Sequence, residues 1–214
     1  MTRCKQPTSS SVPRPRNRER NGAPAPRRRG AAVSGFLVVA LAVRAAAPEP
    51  PQPDPAGTLC GAHDKIYFNC TLSGSGKVVS LCGSADLRAD GASLQYRFGR
   101  KELLELEAPP LTASPLSFFR AGGYARAQVT QWSIGFKRGR YHYELFDSRD
   151  GDLNPPSRES GIRVRRDAAD GGAAGKATTL HCAQPAFSLL GQLHPLLKCD
   201  DALTFGGCKL HGPR

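Results

Sequence analysis

The sequence predicts an all-β, mainly antiparallel domain: a sandwich or small barrel of about eight strands, with a short C-terminal helix and a cysteine-tied tail. Three observations carry this. From residue 65 onward, short β-prone runs recur, and many alternate apolar with polar side chains, the period of a half-buried strand. Segments rich in Gly, Ser and Asp separate them, and these supply the dihedrals that turns need. Six cysteines frame the region, three near its start and three near its end.

Residues 1–45 read as a basic n-region and signal peptide. They hold ten of the chain's thirty Lys and Arg residues and one acid, Glu19. Arg27 to Arg29 precede an apolar run, Ala31 to Val43, and small residues follow, which predicts cleavage after Ala45. As a helix that run is about 20 Å long, against a hydrocarbon core of about 30 Å. No stable membrane span is therefore expected after processing, and the rival reading is an uncleaved N-terminal anchor. The expected location is periplasmic or extracellular. Cys4 would leave with the leader.

The formal charge of +12 belongs mostly to the leader, since the rest of the chain holds twenty basic and seventeen acidic side chains. A body so nearly balanced lacks the field that steers a protein onto a polyanion, so nucleic acid is not the expected partner.

Residues 46–58 read as a Pro-rich linker. "PEPPQPDPAG" should be stiff and extended, because proline fixes φ and removes a donor. Residues 59–214 are then the domain. Its cysteines, Cys60, Cys70, Cys82, Cys182, Cys199 and Cys208, are expected in disulfides, as befits an exported chain with an even count. Three in each cluster is odd, so if all six pair, at least one bridge joins the clusters. The pairing itself stays open. A turn at Ser75 to Lys77 would set Cys70 opposite Cys82, and other registers send Cys82 to Cys60 or to the C-terminal cluster. A zinc site would need a close CxxC or CxxH pair, which is absent. "GSGK" lacks both the first glycine and the final Ser or Thr of a phosphate loop.

The expected strands are Lys65–Leu72, Lys77–Cys82, Ser93–Phe98, Leu103–Glu107, Tyr124–Phe136, Tyr141–Asp147, Ile162–Arg166 and Lys176–Cys182. "KRGR", Lys137 to Arg140, should be a hairpin turn. "DSRDGD" and "GDLNPPSRESG" read as turns and a loop; their acidic spacing misses a calcium loop, with Pro155 and Gly161 at positions that need Gly and Glu. "QPAFSLLGQLHPLL" should hold a short helix limited by Gly191 and Pro195, and "KCDDALTFGGCKLHGPR" the tied tail.

No HExxH pair or GxSxG elbow marks an active site. No catalytic, metal-binding or cofactor-binding residue is therefore assigned, and no cofactor is expected. The Arg-aromatic strands "LQYRFG" and "GRYHYELF" have the composition of contact surfaces. They suggest Tyr96, Arg97, Arg140, Tyr141 and Tyr143 as a contact face for a protein or glycan of the cell envelope. The first expectation is thus a non-enzymatic exported protein acting by surface binding. A rival is a secreted hydrolase using two carboxylates such as Glu105 and Asp147.

Taken together, "YFNC", "KVVSLCGS", "LQYRFG", "GRYHYELFD", "SGIRV", "LHC" and "KCDDALTFGGC", running from Leu59 to Cys208, resemble a group of small, exported, functionally uncharacterised bacterial proteins. That resemblance implies export and a single β-rich domain. More loosely, the chain is similar to the periplasmic inhibitors of c-type lysozyme. On that likeness "AGGYAR", Ala121 to Arg126, would be the inhibitory loop, with glycine where those inhibitors carry serine.

Overall fold

The computed structural model describes residues 51–110, 116–168 and 175–205. The leader with its cleavage site, Cys4 and Cys208 lie outside the described residues. In chain order the strands are β1 (Lys65–Thr71), β2 (Val78–Gly83), β3 (Leu94–Arg100), β4 (Leu103–Ala108), β5 (Arg120–Arg126), β6 (Val129–Arg138), β7 (Tyr141–Asp150), β8 (Ser157–Arg166), β9 (Thr178–His181), β10 (Phe187–Ser188) and β11 (Lys198–Cys199). A single helical turn, α1 (Leu190–Leu193), lies between the last two.

The strands form a five-stranded sheet, β10-β1-β2-β3-β4, and a six-stranded sheet, β11-β5-β6-β7-β8-β9. Every pairing within them is antiparallel except β11 with β5. The two inner faces make one core. Phe68, Val79, Leu81 and Tyr96 come from the first sheet and Ile134, Phe136, Leu145 and Ile162 from the second, with Leu190 and Leu193 of α1 wedged in beside them. Val79 and Leu81 sit two apart on β2, as do Ile134 and Phe136 on β6, so alternation turns both members of each pair inward. The sheets meet through rings: Tyr96 lies 4.9 Å from Phe136, which stacks on Tyr143 at 5.0 Å. Such pairs add about 0.5–1.5 kcal/mol each to the area they bury. The fold is the all-β sandwich the patterning predicts, with a short helix near its C-terminal end.

Among the described residues, eleven strands stand where the sequence predicts eight. The run Tyr124 to Phe136 is in fact the end of one strand and most of the next. The chain reverses at Ala127 and Gln128, and Gln128 takes φ 64°. No Gly or Pro marks that reversal, so the sequence hides it. Ser157 to Gly161, expected in a loop, is strand paired with β7. The two-residue strands β10 and β11 are too short to leave a periodic signal.

The β1–β2 hairpin turns earlier than expected. Leu72 N–H donates to Lys77 O at 2.7 Å and Gly76 N–H to Leu72 O at 3.2 Å. Cys70 therefore faces Val79, while Cys82 faces Ile66. Cys70 points into the sandwich and Cys82 to the outside of its sheet, so the two do not pair. Cys70 instead joins Cys182, 112 residues away, next to the Leu72–Cys182 bridge between the sheets. This is a link between the early and late cysteines, as the parity of the clusters requires. Cys82 joins Cys60. Cys199 is also disulfide-bonded.

The Cys60–Cys82 bond closes an N-terminal strap over the outer face of the five-stranded sheet. The end of the expected linker belongs to it: Gln52 Oε1 accepts from Ile66 N–H at 3.0 Å and Gly57 O from Asn69 Nδ2 at 3.1 Å. Arg97 is the clasp. It donates to Leu59 O at 3.0 Å, to Asp64 at 2.9 Å, to Glu107 at 3.0 Å and to Gln95 at 2.6 Å.

Candidate functional site

A second strap crosses the outer face of the six-stranded sheet. Lys198 and Cys199 pair with Arg120 and Ala121, and Asp200 N–H then donates to Ala121 O at 2.9 Å. The chain goes on over β5, β6 and β7. Two glycines make room for it. A methyl group on Gly135 would come within 2.5 Å of Leu203, and one on Gly122 within 3.1 Å. Glycine inside a strand often marks such a close backbone approach.

Beyond Leu203, Glu144 is 9% exposed and takes both donors of Thr204, the N–H at 2.8 Å and the hydroxyl at 2.7 Å. Its cross-strand neighbour Arg163 lies 3.8 Å away. The Arg163 guanidinium rests on the Phe146 ring, 3.8 Å from its centroid, and 4.9 Å from the ring of Phe205. Burial lowers the Arg163 pKa and the Glu144 carboxylate pulls it back up. Among the described residues, Arg163 Nη1 is buried without a hydrogen-bond partner, an unmet donor that costs free energy where it stands.

Beside the strap opens a cleft of about 400 Å³. Its wall carries Arg120, Lys137, His142, Arg163 and Arg165, with Phe118 and Tyr143 as apolar floor and Glu144 and Asp200 as acids. Antiparallel register places these groups side by side: His142 faces Lys137 on β6 and Arg165 on β8. Lys137 and His142 both reach Asp167, each at 2.5 Å. The hydrogen bond from the Lys137 ammonium holds the Asp167 carboxyl below the ordinary aspartate value; burial opposes it, and His142 adds to the lowering. Arg120 is held by the carbonyls of Ser117 and Phe119. Arg165 is exposed and, among the described residues, makes no ion pair. The arrangement offers fixed cations beside aromatic surface, suited to a carboxylate, sulfate or phosphate group. Among the described residues, no cluster of His, Cys, Asp and Glu could hold a metal ion.

The contact face expected from the sequence does not form. Tyr96 is 1% exposed, and burial, with Tyr143 adding to it, drives its phenol far above the ordinary range. Arg97 is spent on the N-terminal strap, and Tyr143 lies half-buried on Phe136. Only Arg140 and Tyr141, at the β6–β7 turn, stand on open surface. Strands β3 and β7 lie in different sheets, which alternation within each strand could not reveal. Glu105 and Asp147 are likewise in different sheets, each with its own cation, Lys77 at 2.6 Å and Arg158 at 3.4 Å. "AGGYAR" is strand β5 in the interior of its sheet, with Leu203 over Gly122 and the Trp132 ring against Gly123. It is not a projecting loop.

Glu144, Arg163 and the Leu203 to Phe205 strap escape a reading of sequence alone. The available signal was glycine in strands that otherwise read well, Gly122 and Gly135. No protein-family model, curated protein or solved structure matches the chain. Fold and cleft together define a class: a disulfide-braced β-sandwich with each outer face strapped by one end of its domain.

Proposed function

We propose that the chain is an exported, non-enzymatic binding protein that works in the periplasm or outside the cell. Its ligand is an anionic group on an envelope glycan or protein, seated in the cleft beside the C-terminal strap. The observation that carries this reading is the set of cations converging on that cleft, with Arg163 against the Phe146 and Phe205 rings and Arg165 beside it, in no ion pair among the described residues. The disulfides support export, because such bonds persist where thiols oxidise. Among the described residues no helix is long and apolar enough to cross a membrane.

Titration calorimetry with an acidic polysaccharide such as polygalacturonate, at low and at physiological salt, tests the reading. Arg165→Glu, at an exposed position, should weaken binding about tenfold at low salt by placing a like charge beside the ligand. Equal affinity for wild type and variant, or affinity that ignores salt, refutes the cleft as the site.

A further inference from the structure

One end of the sandwich carries a surface that the cleft does not use. The β3–β4 hairpin ends in Arg100, Lys101, Glu102, Leu103 and Leu104, all exposed. Leu103 is 63% and Leu104 44% exposed, and among the described residues nothing covers these adjacent leucines. The β6–β7 hairpin turns at the same end: Arg138 and Leu104 line one hollow, and Arg138 faces Tyr141, which is 42% exposed. Tyr141 in turn faces Arg166 across β8.

The charges at this end are mostly positive, with Glu102 at the β3–β4 tip as an exposed acid among them. Lys101, Arg138, Arg140 and Arg166 are exposed and, among the described residues, in no ion pair. The nearby acids are mostly committed elsewhere, Glu105 to Lys77, Glu107 to Arg97 and Asp167 to Lys137 and His142. A single exposed leucine calls for no explanation. Two adjacent ones and a tyrosine on neighbouring hairpin tips, ringed by unpaired cations, do. The pattern fits an interface where apolar tips enter the acyl boundary and cations meet anionic headgroups.

We infer that this end, formed by Leu103, Leu104 and Tyr141 with Lys101, Arg138 and Arg140, docks on an anionic phospholipid surface. The chain would lie on the bilayer through these tips and not span it. The surface goes beyond the proposed cleft function, and its key residues, Leu103 and Leu104, are not cleft residues.

The full chain is tested with a local probe, so that binding by residues 1–50 does not count. Leu103→Trp places an indole at the tip, and wild type, with Trp132 alone, gives the background. Vesicles of phosphatidylglycerol and phosphatidylcholine in equal parts, carrying acyl-brominated lipid, should quench the added indole. Vesicles of phosphatidylcholine alone should not. Leu104→Asp in the same background should lower the partition read by quenching about tenfold, and so should Arg138→Glu with Arg140→Glu at low salt. Leu153→Asp, on the β7–β8 connection, should change nothing. Circular dichroism checks that each variant is folded. Chain bound to vesicles with the added indole unquenched overturns the inference, because the tip is then not what docks. Equal quenching on neutral vesicles, or an equal fluorescence change with soluble dextran sulfate, overturns it as well.

Discussion

Replacing Cys70 and Cys182 together by alanine should destabilise the domain more than replacing Cys60 and Cys82 together. The two bonds differ most in the loop each closes: 112 residues for Cys70–Cys182 and 22 for Cys60–Cys82. The chain-entropy relation converts these to about 4.8 and about 3.4 kcal/mol at room temperature. Burial does not blur the comparison, since Cys70 is 6% and Cys82 1% exposed. Alanine avoids placing a new hydroxyl in the core. With a urea slope of about 2 kcal/mol per molar, the midpoints of the two double variants should lie about 0.7 M apart. Urea unfolding of oxidised wild type and both variants, followed by circular dichroism, measures this. If the Cys60/Cys82 variant is the less stable of the two, or the slopes change sharply between variants, the entropic reasoning fails. The Cys60 bond would then act mainly by holding native contacts of the N-terminal strap.

Glu144→Ala should release the C-terminal strap. It removes two acceptor bonds to Thr204 and the counter-charge of Arg163, for a loss of about 2–3 kcal/mol. Hydrogen exchange should quicken between Lys198 and Phe205 and stay unchanged in β1 and β2, while Glu144→Gln should recover part of the protection; uniform exchange across the domain would refute the local clasp. Asp167 should titrate below the ordinary aspartate value, because Lys137 and His142 favour its charged form. Its contribution is then present above the unfolded-state pKa and lost as pH falls through the lowered folded value; a carbon-detected titration showing an ordinary value would refute the pairing.

Much of the sandwich was legible because alternation is a local signal. Leu81, Ile134, Phe136 and Leu145 each sit where a period of two puts them inside. What stayed hidden depends on which sheet a strand joins. Tyr96 and Tyr143 carry similar local patterns, yet their rings lie 6.2 Å apart across the core instead of side by side on a surface. Arg97 reads as an interface residue by composition, but the partner it needs is the strap fixed by Cys60. The Ala127–Gln128 reversal is held by Gly151 N–H donating to Gln128 O at 2.8 Å, a contact from a different hairpin that no window around residue 128 contains. The C-terminal strap follows the same logic, since Leu203 finds its notch only once β5 and β6 stand next to each other.

The short turn from Ser73 to Gly76 has an effect well beyond its own hairpin. By fixing which residue of β1 meets which residue of β2, it sends two thiols close in sequence to opposite sides of the same sheet. A cross-link between Cys70 and Cys82 is thereby disfavoured once the hairpin is formed. A thiol facing inward must wait for a partner made much later, and one facing outward is left for its upstream neighbour. The pairs Cys60–Cys82 and Cys70–Cys182 thus follow the side of the sheet on which each thiol stands. Lengthening that turn by one residue would put the choice of covalent map at risk while leaving every cysteine in place.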